Sequence, residues 1–408
     1  MSRTENSTNP ISQPLVVQKY GGATLADPNL VKAAARRILE QSRRSPLIVV
    51  VSAMGTTTNS LIDLARQVSL QPARRELDML LSVGERISMS LVSMALQDLG
   101  GQAISFTGSQ AGILTDDDHF NAKIVDVKAF RVEEALKAGK IVILAGFQGV
   151  SPRSKEITTL GRGGSDVTAV AMAAAFKAAR CEILKEVPAV FSADPRVVAK
   201  ARPLSRLNYD ELLEMTFWGA KVLHHRSVEL ARRREVPLYI GPAADDLAAG
   251  TQVGKGMSMF ESQRPLSLNS HERVLEMELA PGDPQKAMAE WQSTLAAKEI
   301  PSPQLLAWVG GHGLNRVLVT GAKEILDSLQ AAFGNASVPR VLETSLCSVT
   351  LTCAGGVNPD LAGKMLGLLK TNGIDPRELR VGPLSVTVFL AEEQRRRAME
   401  CLHSLIPA

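Results

Sequence analysis

The chain has 408 residues, of which 45% are apolar and 22% charged, with a formal net charge of +4. That length suffices for two or three domains with cores of their own, and the charge is too small and too mixed for a nucleic-acid binder. No apolar run approaches the roughly 20 residues that span a bilayer, and Cys181, Cys347, Cys353 and Cys401 are scattered without a CxxC pair, as buried or idle thiols in a reducing cytoplasm would be.

Residues 1–14, "MSRTENSTNPISQP", are polar and lack the apolar core of a secretory signal, so they read as a disordered tail. From Leu15 to about Ile240, short β-branched runs alternate with helical patterns. "LVVQK", "PLIVVVSA", "QAISF", "KIVILAGF", "CEIL" and "VPLYIG" predict buried strands. "DPNLVKAAARRILEQS", "ELDMLLSVGERISMSLVSMALQDL", "DVTAVAMAAAFKAA" and "LNYDELLEM" predict helices. The alternation predicts an α/β domain over 15–253, a mostly parallel sheet sandwiched by helices, with ligands beyond the carboxyl ends of the strands. From 241 onward "GPAADDLAAGTQVGKGMSM" loses periodicity, and a linker is placed at 254–264. Over 265–408 the strands "RVLEMELA", "RVLVTG", "CSVTLTCAG" and "LSVTVFLA" interleave with four helical segments, a rhythm that fits two βαββαβ-like α+β units.

Four loops of the first region can carry chemistry. In "QKYGGATL", Lys19 ends a strand and Gly21 and Gly22 follow, a pattern that suits an anion held by backbone N–H groups and a point charge, or equally a solvated lysine before a tight turn. In "VVVSAMGTTTNSL" a strand leads into a helix through hydroxyl residues, and capping by Thr57 or Thr58 explains one of them. In "LLSVGERISMSL", Gly84 interrupts a helical pattern and Glu85 lies beside an apolar face, where a surface carboxylate is the plain reading. In "TTLGRGGSDVTAVAMAAAF", Ser165 or Asp166 makes a good N-cap. That leaves Arg162, whose fork matches a carboxylate while Asp166 suits an ammonium, together a pocket for an amino acid. His224 and His225 are adjacent and point to different faces, so they read as structural rather than as a metal site.

Taken together, "KYGG", "VVVSAMG", "SVGERIS", "ITTLGRGGSD", "ADPR" and "GAKVLHHRSVELA" resemble, in order and spacing, the aspartate kinases (aspartokinases) of the amino acid kinase family, from about Val16 to Val253. The resemblance implies transfer of the ATP γ-phosphoryl group to the β-carboxylate of L-aspartate, with Mg²⁺, as the first step towards lysine, threonine and methionine, and towards diaminopimelate in bacteria. It implies Lys19 at the transferring phosphoryl group with Asp166 as a second catalytic residue, and Thr58, Glu85, Arg162 and Ser165 at the aspartate. Gly21, Gly22, Thr24, Lys185, Phe191, Arg196 and Lys221 fall at nucleotide-binding positions, with no dedicated protein metal site. It further implies two C-terminal ACT-like units, a homodimer formed through them, a cytoplasmic location, and no nucleic-acid or membrane partner.

The chain departs from the family's pattern in two places. Ala23–Thr24 stands where Thr-Ser is usual, and in "CEILKEVPAVFSADPR" Lys185, Glu186, Ala189 and Phe191 replace a usual Thr, Asp, Gly and Tyr. Alanine at a position needing positive φ implies strain or a rebuilt turn, and Lys185 either meets a phosphate or pairs with Glu186. A catalytically silent, amino-acid-binding relative is therefore the alternative to an active kinase. The first ACT-like unit, around "VLEMELAPGDPQKAMAEW", lacks the usual D-x-P-G loop, so dimer contacts rather than inhibition by lysine or threonine are expected of this region.

Overall fold

A computed structural model describes residues 13–242, 249–256, 263–298, 300–311 and 313–407, with the side chains of 309–311 excepted. Most of the tail placed at 1–14, and much of the linker placed at 254–264, lie outside the described residues. The chain forms two compact units: residues up to Val190 with Pro203–Thr216 and the segment from Lys221 to the linker make the first, and Phe191–Arg202, Phe217–Ala220 and the C-terminal region make the second.

The first unit is built on β1 (Val16–Tyr20), β2 (Leu47–Val51), β3 (Ala103–Phe106), β4 (Ile113–Thr115), β5 (Ile124–Val127), β6 (Ile141–Ala145), β7 (Gln148–Val150), β8 (Ile157–Thr159) and β9 (Arg180–Leu184). An eight-stranded sheet runs in the order Arg206–Leu207, Thr251–Val253, Leu238–Gly241, β9, β1, β2, β6, β3. Its pairs are parallel except Leu238–Ile240 against Thr251–Val253. Every residue of β1, β2 and β6 is buried, as expected of central parallel strands covered on both faces. The predicted strands and helices of this region are all present. Sequence reading missed a second, four-stranded sheet, β5-β4-β7-β8, whose strands of three or four residues carry too little periodicity to detect.

Helices α1 (Pro28–Ser42), α2 (Thr57–Val68), α3 (Arg74–Asp98), α4 (Phe130–Lys137), α5 (Gly164–Ala175), α6 (Tyr209–Phe217) and α7 (His225–Arg234) surround the sheet. The side chain of Asp27 caps α1 through the amides of Asn29 and Leu30, with Pro28 in the first turn. Val31, Ala35 and Ile38 of α1 and Val92 and Leu96 of α3 pack with Val16, Tyr20, Val49 and Val51 into one core on one face of the sheet. Because strand side chains alternate, Lys19 faces the other side, where α5 lies. Helix α5 is buried over Gly164–Ala173, which its Ala, Val and Met content permits. Helix α3 is long and apolar enough to cross a membrane, contrary to the expectation that no such stretch exists, yet half of that window is buried within the protein.

The second unit is a six-stranded antiparallel sheet in the order Gln304–Gly311, Leu314–Thr320, Arg264–Leu279, Arg340–Ala354, Ser385–Ala391, Glu378–Val381. The two long central strands serve both halves, and their register shifts between His271 and Val274. Beyond that shift Leu275, Met277 and Leu279 pack on the helices Pro284–Ala297 and Lys323–Phe333, through Trp291, Leu295, Leu326 and Leu329. Before it, Leu268 joins Val349, Leu351, Met365, Leu369 and Leu402 in a separate core with the helices Pro359–Thr371 and Arg395–Leu402. Two ACT-like halves with separate cores thus share two strands. Leu329 and Leu351 are fully buried, so Leu329→Ala and Leu351→Ala should each cost about 2–5 kcal/mol. Denaturant unfolding of the double variant should give the sum to within about 0.5 kcal/mol.

Candidate functional site

Three loops meet at the carboxyl ends of the central strands. Lys19, one residue from the end of β1, is 7% exposed, and its Nζ lies 2.7 Å from the Asp166 carboxylate, itself 4% exposed. The predicted cap at Ser165 or Asp166 is not formed. The N-cap of α5 is Gly163, with φ 70° and no side-chain cap bond, so the helix starts earlier and both residues lie inside its first turn. The Asp166 carboxylate is thereby released from capping and directed at Lys19, where the helix N-terminus also favours a negative charge. Burial pushes this carboxyl up, and the charges of Lys19 and Lys185 reverse the effect and hold it below the usual range.

The glycines after β1 differ in what they do. A Cβ on Gly22 would stand 2.6 Å from the Ala53 carbonyl oxygen, and Gly55 N donates to Gly22 O at 3.0 Å, so this glycine lets the loops after β1 and β2 touch. A Cβ on Gly21 would stand 3.9 Å from Lys19 Nζ, an ordinary van der Waals contact, so the backbone here runs close beside the ammonium without the tight approach seen at Gly22. The Thr24 hydroxyl donates to Gly21 O at 2.7 Å and closes the turn. The hydroxyls of the next loop also stay local: Thr57 donates to Met54 O at 2.6 Å, and neither Thr57 nor the half-buried Thr58 caps α2, whose N-cap Thr56 makes no side-chain cap bond.

Glu85 reaches the same region from α3. Gly84 permits the approach, since a Cβ there would stand 2.8 Å from Ala53 Cβ. Glu85 is 3% exposed, so the surface reading fails. One carboxylate oxygen accepts from Ala53 N at 3.1 Å and the other is buried without a hydrogen-bond partner. Burial raises its carboxyl to about 7, against the Ala53 amide and the Lys19 charge, which favour ionisation. Lys185 follows β9, the neighbour of β1, and is half-buried. Burial lowers its ammonium from the usual range, with Lys19 adding to the effect and Asp166 opposing it. No ion pair to Glu186 forms among the described residues. Ala189 lies outside the left-handed region, so the altered turn is rebuilt rather than strained.

Gly161 and Gly163, with φ 74° and 70°, bracket Arg162, which is exposed. Ser165 is buried against Gly146, where a Cβ would stand 2.8 Å from Ser165 Cβ. Lys221 belongs to the first unit and is exposed. Phe191 and Arg196 belong to the second, where Arg196 pairs with Asp194 at 2.8 Å. His224 caps α7 by accepting from Arg226 N, in keeping with a structural reading. Sequence reading missed Asp78, fully buried on α3 and bonded to His119 Nδ1 at 2.6 Å and to Phe120 N at 3.1 Å. The available signal was the spacing of seven from Glu85, which puts two carboxylates on one face of an apolar helix.

Two ammonium groups around one carboxylate, the Gly21 backbone close beside one of them and a second buried carboxylate suit an anionic phosphate beside a small zwitterion. Among the described residues no three His, Cys, Asp or Glu side chains converge as metal ligands. With its folded pKa raised, Glu85 contributes stability below about pH 4.5 that is lost as pH rises through about 7. Relative to Glu85→Gln, the wild type should lose on the order of 3 kcal/mol across that window, read by urea unfolding at successive pH values. A pH-independent difference would contradict it.

Residues 14–242 match the family model for the amino acid kinase family. The aspartokinase of Mycolicibacterium smegmatis is 56% identical over 233 residues, covering 57% of this chain and 55% of that protein; the chain thus spans little more than half the length of such mycobacterial relatives. The aspartokinase of Corynebacterium glutamicum is 38% identical over 412 residues, with 95% of each covered. The crystal structure of E. coli aspartokinase III in complex with aspartate and ADP shares the fold, with a TM-score of 0.78 at 24% identity over 96% of this chain and 99% of that one. A glycine-bracketed arginine, a buried lysine–aspartate pair and a helix-borne glutamate lie at the strand ends of a chain that belongs to the amino acid kinase family and, within it, to the aspartokinases.

Proposed function

We propose that this chain transfers the γ-phosphoryl group of ATP to the β-carboxylate of L-aspartate, giving 4-phospho-L-aspartate and ADP. The observation that carries the reading is the buried Lys19–Asp166 pair, 2.7 Å apart beside Gly21 at the carboxyl end of β1. A carboxylate oxygen is already ionised at neutral pH, so the nucleophile needs no general base. It forms the new bond to Pγ while the bond from Pγ to the bridging oxygen breaks, and ADP leaves with that electron pair. The protein's task is positioning and charge.

In this reading Asp166 holds the Lys19 ammonium in place, and Lys19 meets the charge on the transferring group. Lys185 supplies a second cation beside the same carboxylate. Magnesium, when bound with the nucleotide, neutralises phosphate charge. Arg162 clamps a substrate carboxylate, and ionised Glu85, with Thr58 and Ser165, orients the ammonium and remaining polar groups. Gly22 and Thr24 shape the phosphate loop, and Lys221 serves the nucleotide. The reaction belongs to a cytoplasmic route to lysine, threonine, methionine and diaminopimelate, catalysed by a homodimer joined through the ACT-like units.

Hydroxamate trapping of aspartyl phosphate tests the reading. Lys19→Ala should lower kcat by about 10²–10³-fold, whereas Arg162→Ala should mainly raise the aspartate KM. Because Glu85 binds an ammonium only when ionised, the aspartate KM should fall as pH rises through about 7, and Glu85→Gln should flatten that profile. A wild-type protein that forms no hydroxamate would favour the silent alternative.

A further inference from the structure

The turn Leu160–Gly163 carries Arg162 between two glycines in left-handed conformation. Leu160 N donates to Phe147 O at 2.8 Å and Gly164 N to Gly161 O at 3.0 Å, and further bonds come from α7. The Arg226 guanidinium donates from one terminal nitrogen to Leu160 O at 2.8 Å and to Asn121 Oδ1 at 3.2 Å, and from the other to Ala122 O at 2.8 Å. Two residues earlier, the His224 side chain lies against Gly163, where an added Cβ would stand 2.2 Å from His224 Cβ. The start of α7 therefore grips the turn on both sides of Arg162.

The segment that Arg226 ties to the turn is itself anchored. Ala122 N donates to Thr159 O at 2.9 Å, and Ala122, Leu160 and Val167 share a small core with Leu230 of α7. Phe120 is held with φ 71° by its amide bonds to buried Asp78, and its carbonyl oxygen would stand 3.0 Å from a Cβ on Gly161. Among the described residues the guanidinium is the one group that bonds to Leu160, Asn121 and Ala122 at once. A fork that spans two carbonyls is a geometry an ammonium cannot reproduce.

We infer that Arg226 is a positioning residue for the aspartate-binding turn, acting through the carbonyls of Leu160 and Ala122 on the direction of Arg162. The inference rests on the reading of the site given above, and goes beyond it in assigning the arginine of the "HHRS" segment a role in substrate selectivity between aspartate and nucleotide. Arg226 touches neither reacting group. Its loss leaves the Lys19–Asp166 pair intact and lets the turn drift, so aspartate binding suffers while ATP binding does not.

The test compares wild type, Arg226→Ala and Arg226→Lys in the hydroxamate assay, with hydrogen exchange of the folded full-length chain. Arg226→Ala should raise the aspartate KM about ten- to a hundredfold, with the ATP KM and kcat each changed less than about threefold. Arg226→Lys should not restore the aspartate KM, and millimolar guanidinium should restore part of it in Arg226→Ala. Exchange should quicken at the amides of 120–124 and 161–163 and stay unchanged in β1 and β2. An unchanged aspartate KM, or equal increases in both KM values, would overturn the inference. Should the wild type itself form no aspartyl phosphate, the reading of the site fails, and exchange still decides whether Arg226 pins the turn: unchanged protection at 161–163 would refute it.

Discussion

The buried ion pair between Lys19 and Asp166 is the constraint on which the first unit depends. Placing either charge alone in a site under a tenth exposed would be costly, and a close partner offsets that cost only with good geometry. The sheet supplies the geometry. Lys19 lies between Val50 of β2 and Ile183 of β9 in register, so its backbone is fixed on both sides, and α5 packs across the same strands. The carboxylate and ammonium meet because strand alternation and helix start agree to within one residue.

That agreement is made by glycine. Gly163 begins α5 in the left-handed region, which moves Asp166 from the cap into the first turn. Gly22 and Gly84 remove the side chains that would hold the loop after β2 away from β1 and α3. Each is a close approach that a methyl group would block, and each brings one charged residue toward a common point. The electrostatics follow: a carboxylate kept ionised between two cations, and a second carboxylate left near neutrality by burial with one oxygen unpartnered. A site so arranged has both a fixed positive centre and a group whose charge responds to pH near 7.

How much of this was legible in the sequence depended on the scale of the signal. The all-apolar runs of β2 and β6 announced central strands, and the loops after β1 and β2 announced where chemistry would lie. Asp166 read as a cap because Ser-Asp before an apolar run is a strong local pattern, and only the backbone of Gly163 shows the helix starting earlier. Glu85 read as a surface residue because nothing local reveals that Gly84 presses it against Ala53. In the second unit the stretch "SLNSHE" hid half of a 16-residue strand, since Ser267, Asn269 and Ser270 are polar yet buried. Arg226 was passed over because two of its three partners are backbone carbonyls, at 122 and 160, which no side-chain pattern encodes.

The altered stretch after β9 bears most on whether the fold acts as a kinase. Lys185 stands where the family's pattern usually has a neutral residue, its charge acts on the Asp166 carboxylate, and the turn to Ala189 is made without left-handed strain. Calorimetric titration of MgATP into the protein, with and without L-aspartate, tests this most directly. The account predicts saturable one-to-one binding of the nucleotide in both conditions, weakened by Lys185→Thr. Binding of aspartate with no binding of MgATP would contradict it and leave a chain that kept the amino-acid pocket alone.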